Sequence, residues 1–134
     1  MATEILVNDG GAPARIIPLT MKAATTCAAG DALSLHSDGT VVPADTDLAA
    51  AGGEAFIGIA LTAGAAAGLV NVITGSGVVV MANVADTAAG EAVELSGDAG
   101  RLGAYTGTYP ASGQPVAVTL ENNATAGLTK VLLL

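Results

Sequence analysis

The chain has 134 residues, of which 51% are hydrophobic and 12% are charged, and its formal net charge is −8. This length is sufficient for one domain with a core, and the high apolar content excludes an intrinsically disordered chain. Four basic residues stand against twelve acidic ones. This balance would repel phosphate, so it excludes a nucleic-acid binder that depends on electrostatic attraction.

Bulky side chains are scarce. The aromatic residues are Phe56, Tyr105 and Tyr109, and the chain contains 18 glycines. The core must then be built from Val, Leu, Ile and Ala, which bury less area per residue than aromatic side chains do. Because binding to a partner stabilises a fold, burial against another molecule would compensate. We therefore expect an obligate oligomer or a protein that coats a larger body.

The N-terminal residues differ from the rest of the chain. The apolar run Ile5-Leu6-Val7 is followed by the polar, glycine-containing stretch 8–13. One interpretation is an arm that adds to the edge of another sheet, and the other is a first strand of the same domain. We divide the chain into an N-terminal arm, residues 1–14, and a single β domain, residues 15–134.

Turn residues interrupt the remaining chain at short intervals, which is typical of many short strands. Pro18 restricts the first of these strands to a sheet edge or an arm, and Gly75-Ser76-Gly77 predicts a hairpin between the two strands that flank it. The pattern predicts an all-β fold, a small barrel or sandwich of short antiparallel strands with an extended N-terminal arm. The predicted strands are 16–21, 32–35, 40–42, 55–61, 69–74, 78–84, 91–95, 101–105, 116–120 and 128–134.

One pattern recurs along the chain. Residues 28–35, Ala-Ala-Gly-Asp-Ala-Leu-Ser-Leu, are similar to residues 89–95, Ala-Gly-Glu-Ala-Val-Glu-Leu, and residues 112–118 form a looser third copy. In each copy, glycine permits a positive φ and an acidic or amide side chain caps a turn that leads into a strand. The similarity indicates either an internal repeat or a frequent turn-to-strand solution that the chain uses more than once.

Residues 55–85 carry no charge, and this stretch is long enough to cross a bilayer. It also contains Asn71, Asn83 and five glycines, and neither flank is basic or aromatic. These features are atypical of a transmembrane helix. We therefore expect no membrane partner.

Residues that could carry catalysis are isolated. In His36-Ser37-Asp38 the single histidine precedes two polar residues, but neighbouring side chains on a turn point in different directions and do not form a triad. We expect Cys27, the single cysteine, to be a small buried residue rather than a nucleophile. The acids of Asp45-Thr46-Asp47 are interpreted as solvated loop charges, the alternative being a cation at a subunit junction. We expect no enzymatic activity, no metal site and no cofactor.

An ordered series of turns and strands resembles a known family. The series comprises residues 28–33 (Ala-Ala-Gly-Asp-Ala-Leu), 56–61 (Phe-Ile-Gly-Ile-Ala-Leu), 65–72 (Ala-Ala-Ala-Gly-Leu-Val-Asn-Val), 75–79 (Gly-Ser-Gly-Val-Val) and 89–93 (Ala-Gly-Glu-Ala-Val). In composition and turn spacing it is similar to the small capsid decoration, or cement, proteins of tailed bacteriophages. The resemblance covers about residues 28–95.

The resemblance implies an all-β protein, often trimeric, that sits on the outer capsid at three-fold or quasi-three-fold positions. It also implies that the N-terminal segment adds to the capsid lattice. The acidic charge suits an outer surface better than an interior that faces DNA. We expect a virion protein on the outer capsid surface, made in the host cytoplasm, with the major capsid protein as partner and a homotrimeric state.

The expected function is to stabilise the shell by clamping neighbouring major capsid subunits through backbone pairing and burial of apolar area. The alternative is another self-assembling virion component, such as a head fibre or a tail-tube protein. A cellular carrier or binding domain and an enzyme are the remaining hypotheses. The candidate capsid-binding residues are Glu4, Ile5, Leu6, Val7, Ile16 and Ile17.

Overall fold

The computed structural model describes residues 5–7, 13–44, 55–96, 98–105 and 115–134. Within these ranges the chain forms ten strands and no helix, which confirms the all-β prediction. No helix capable of spanning a bilayer occurs in the described part of the chain. The strands are β1 Arg15–Thr20, β2 Ala32–Leu35, β3 Val41–Pro43, β4 Ala55–Ala60, β5 Leu69–Thr74, β6 Val79–Val84, β7 Ala92–Leu95, β8 Leu102–Ala104, β9 Ala117–Thr119 and β10 Gly127–Leu133.

The strands form two sheets of five. The first five strands are arranged in the order β1-β5-β4-β2-β3, and the last five close into a barrel in the order β10-β6-β8-β7-β9. All strand pairs are antiparallel except β6 and β8, which meet in parallel at Val84 and Leu102. The predicted barrel or sandwich of short antiparallel strands is thereby confirmed.

The predicted hairpin across Gly75-Ser76-Gly77 is wrong. The turn is present, since Gly75 and Gly77 have positive φ and the Val78 N–H donates to the Gly75 carbonyl at 3.3 Å. However, β5 pairs with β1 and β4, whereas β6 pairs with β10 and β8. A tight turn is determined by local chemistry, but strand partners are determined by the core that each apolar face buries. These two consecutive strands therefore separate into different sheets.

The two sheets are copies of one topology. We call β1–β5 the first unit and β6–β10 the second unit. Strands β1 to β5 match β6 to β10 in order. The counterpart of a residue is found by adding 63 to its number in β1, 60 in β2, 61 in β3, and 59 in β4 and β5. Matching cross-strand pairs are Thr20–Leu69 and Asn83–Leu128, Leu33–Pro43 and Val93–Ala104, Ile59–Ile73 and Val118–Leu132, and Met21–Val41 and Val84–Leu102.

The recurring sequence pattern belongs to this repeat. Gly30 and Gly90 occupy the same turn with φ of 92° and 85°. The Asp31 carboxylate accepts the N–H of Ala28 at 2.9 Å, and Glu91 accepts the N–H of Ala88 at 3.2 Å. The glycine and the capping acid are therefore required by the same local geometry in each unit. The first three residues of the looser third copy, 112–114, lie outside the described residues.

The main apolar core is common to both units. One buried cluster joins Ala32, Ile59 and Ile73 of the first unit to valines and leucines of the second, among them Val80 and Leu102. A smaller cluster, built around Met21 and Cys27, belongs to the first unit alone. The units are thus packed against each other through shared apolar side chains.

Candidate docking surface

The predicted arm residues lie against the second unit. The Val7 N–H donates to the Val79 carbonyl at 3.2 Å, and the Met81 N–H donates to the Ile5 carbonyl at 2.7 Å. Leu6 sits opposite Val80 in an antiparallel bridge. Ile5 is 5% exposed and belongs to the main core. The segment 5–7 therefore adds a short strand to the outer edge of β6.

Only part of the predicted arm falls within the described residues. Glu4, the remaining predicted arm contact, lies outside the described residues, as do residues 1–3 and 8–12. An arm over residues 1–14 that binds a capsid stays a prediction.

Ile16 and Ile17 lie on a different surface, the edge strand of the first unit. β1 pairs with β5 along its whole length, and β5 is its one neighbour among the described strands. Ile16 is 47% exposed and Ile17 is 39% exposed. The six predicted residues are therefore not brought together: three of them cover β6, and two project from β1.

The repeat relates these two places. Ile17 lies opposite Val72 in the first unit as Val80 lies opposite Val131 in the second. The outer edge beside Val80 is covered by segment 5–7, whereas the matching edge beside Ile17 is uncovered by any described residue. Among the described residues, the edge that segment 5–7 covers in the second unit therefore has no cover in the first unit.

Pro18 changes the chemistry of the open edge. Its counterpart in β6 is Met81, whose N–H faces outward and binds Ile5. Proline has no N–H, so the β1 edge has lost the matching donor while its ladder to β5 keeps every bond. The Ile16 carbonyl, counterpart of the Val79 carbonyl, is still an acceptor. The predicted edge position of Pro18 is confirmed by this arrangement.

Where the structure describes them, the residues that the sequence analysis singled out for catalysis lie either in the turn at His36 and Asp38 or in the core at Cys27. His36 Nδ1 accepts the N–H of Asp38 at 3.3 Å within its own turn. Hydrogen bonds from the Thr40 hydroxyl and N–H, and from Lys22, hold the pKa of Asp38 well below its usual range. Burial raises the pKa of the Cys27 thiol, whose side chain is enclosed as predicted. Asp45 and Asp47 lie outside the described residues, and the described ones contain no group of three metal-ligating side chains.

A polar depression of about 320 Å³ lies at the loops that precede β7 and follow β9. Asn122 accepts the Ala89 N–H at 2.9 Å, and the Asn123 amide donates to the Val84 and Ala85 carbonyls. These bonds hold the loops to each other. The depression therefore has a clear structural role, because its amides supply backbone partners that the loops otherwise lack.

Sequence reasoning missed one exposed apolar residue of the first unit. Leu69, at the start of β5 and opposite Thr20, is 72% exposed. It follows Gly68 and lies within a correctly predicted strand, so its apolar character gave no signal of exposure.

Neither protein-family models nor curated proteins gave a match to this chain.

Proposed function

We propose that this chain is a structural virion protein that binds the outer surface of a phage capsid and clamps neighbouring major capsid subunits. The edge of β1 at Ile16 and Ile17, with which no described strand pairs on its outer side, is the observation that carries this proposal. In the second unit the same edge accepts an apolar strand through two backbone hydrogen bonds. An extended apolar segment of a capsid subunit would add to β1 in the same way.

The chemistry of the edge defines the partner segment. Ile16 and Ile17 provide apolar area, and burial of such area contributes roughly 25 cal/mol per Å². The Ile16 carbonyl provides an acceptor, so the partner must present a backbone N–H opposite it. Charge directs the encounter, since a chain of net charge −8 is repelled by DNA and tolerated on the outside of the shell.

The test is co-sedimentation of the full chain with undecorated shells assembled from the major capsid protein of the same virus. Wild type is expected to sediment with the shells. Ile17→Lys places a charge on the edge and is expected to reduce binding at least tenfold, because charged side chains block strand addition. The matched control, Leu120→Lys, changes a different exposed aliphatic residue and is expected to bind as wild type does. Wild type that stays in the supernatant would refute the proposal.

A second candidate function is a self-assembling component such as a head fibre or a tail-tube protein. The observation that favours it is the tandem repeat, because a chain built from two copies of one unit carries matching contact surfaces at its two ends. Assembly of the purified chain into long polymers without any shell would support this candidate over the first. A homotrimer on the capsid is the state proposed for the first candidate.

A further inference from the structure

Besides the shared apolar core, a small set of residues joins the two units by hydrogen bonds. The Ala32 N–H donates to the Gly100 carbonyl, and the Gly100 N–H donates to the Ala44 carbonyl, both at 2.8 Å. The Asn83 N–H donates to the Gly30 carbonyl at 2.8 Å, and the Asn83 side-chain amide donates to Asp31 Oδ1 at 3.1 Å. The Gly30 turn of the first unit thus sits on the β6 edge and the Gly100 turn of the second.

Each half of this contact has a second copy in the chain. The Gly30 turn, with Asp31 and Ala32, has its counterpart in the Gly90 turn of the second unit. The surface of the second unit on which the Gly30 turn sits is formed by Asn83, Gly100 and Leu128. This surface also has a counterpart on the first unit. Thr20 corresponds to Asn83, Gly39 to Gly100 and Leu69 to Leu128.

The first copy of each half is covered and the second is open. A methyl group added to Gly30 would overlap Leu128, and one added to Gly100 would meet Asp31 at 2.9 Å. At Gly90 and at Gly39 the same addition meets nothing within 4 Å. Ala44 is fully buried, whereas its counterpart Tyr105 is 43% exposed. The second copies are therefore exposed at the positions where the first copies contact the other unit.

Leu69 supports the same conclusion independently. Its counterpart Leu128 lies over Gly30 and is half as exposed, at 38% against 72%. Leu69 is the most exposed large apolar side chain among the described residues. In the second unit the glycine turn at Gly30 covers the matching leucine, so the repeat indicates a glycine turn as the group that would bury the apolar area of Leu69.

We propose that a second copy of this chain seats its Gly90 turn on the Thr20–Gly39–Leu69 surface of the first. In this contact Leu69 packs over Gly90 of the neighbour, and Glu91 approaches Thr20 as Asp31 approaches Asn83. The contact joins unlike surfaces, so every copy keeps one free half for the next. Such a head-to-tail interface produces a closed ring if the rotation between copies closes, and an open chain otherwise.

This inference is independent of capsid binding, because its surface excludes Ile16 and Ile17 and its partner is the chain itself. Cross-linking tests the pairing directly. Thr20→Cys and Glu91→Cys are made in separate chains, each also carrying Cys27→Ala, and are treated with a short bismaleimide. A dimer is expected from the mixture and not from either variant alone. Dimers from a single variant, or a mixture that gives no more product than Thr20→Cys with Glu121→Cys, would overturn the proposal.

The apolar part of the contact is tested by mass in solution. Wild type at high micromolar concentration is expected to sediment as a multiple of the 12.8 kDa chain. Leu69→Glu is expected to reduce the mass to that of one chain, while Leu120→Glu, at another exposed leucine, keeps the wild-type mass. Circular dichroism of both variants checks that they are folded. A wild-type protein that sediments as one chain, or a Leu69→Glu variant with unchanged mass, would contradict the inference.

Discussion

Ile17 and Val80 occupy the same position in two copies of one unit, yet Val80 is fully buried and Ile17 is 39% exposed. Val80 belongs to the main core and segment 5–7 lies beside it, whereas no described residue pairs with the matching edge at Ile17. The chain itself thus contains a covered and an uncovered version of the same sheet edge. The covered version shows which kind of segment the edge accepts, namely a short, extended and apolar one.

The covered edge predicts that Ile5 contributes to stability. Ile5→Ala is expected to lower the free energy of unfolding by roughly 2–4 kcal/mol, because a core side chain is replaced by a cavity. Ile16→Ala, at an exposed position, is expected to cost less than about 0.5 kcal/mol. Urea denaturation measures both values. Equal effects of the two substitutions would mean that segment 5–7 is not packed on β6.

The repeat predicts unequal roles for its two capping acids. Asp31→Ala removes the acceptor of the Ala28 N–H and of the Asn83 amide, so we expect a loss of about 1–2 kcal/mol in the free energy of unfolding. Glu91→Ala removes one exposed cap, so we expect less than about 0.5 kcal/mol. Both are measured by denaturation in dilute solution. A Glu91 effect as large as that of Asp31 would contradict the assignment of Asp31 to the contact between units.

Pro18 predicts a gain of pairing when it is replaced. Pro18→Val restores the outward N–H that Met81 has at the matching position, so the β1 edge can make a further backbone bond. We expect more self-association in sedimentation velocity, with stability of the monomer changed by less than about 0.5 kcal/mol. A large loss of stability would instead show that the Pro18 nitrogen faces the inside of the sheet.

Net charge predicts a salt dependence of self-association. Each chain carries a formal charge of −8, so two copies repel each other at long range. Raising the ionic strength shortens the range of this repulsion and is expected to strengthen association through Leu69 and Gly90, which are uncharged. Sedimentation equilibrium over a salt series measures the effect. Association that weakens steadily with salt would point to an ionic contact in place of the apolar one.

The strands could be predicted from the sequence because their limits are set by local chemistry. Turn glycines such as Gly39 and Gly90 mark strand ends, and alternating apolar residues fill the intervals. The repeat was visible only at its capped turn, where both copies need glycine and an acid. Elsewhere a strand needs only apolar residues on one face, and Arg15–Thr20 shares no residue with its counterpart 78–83.

The docking surface was less predictable for a related reason. Whether an apolar strand residue is buried depends on which strands pair over long distances in the chain. Local sequence patterns do not reveal that pairing. Ile5 and Ile17 both belong to short apolar runs near the N-terminus, yet Ile5 lies in the core and Ile17 lies on an edge that no described residue covers. The same limit explains the wrong hairpin after β5, because turn chemistry does not select strand partners.

Residue-resolved amide hydrogen exchange on shell-bound protein tests the central claim most directly. The Ile16 N–H faces the open edge of β1, whereas the Ile17 and Leu19 N–H groups face β5, as the matching register with β6 requires. We predict that shell binding slows exchange at Ile16 and leaves Ile17 and Leu19 as protected as in the free chain. Protein that binds the shells while Ile16 exchanges at its free rate would contradict the account.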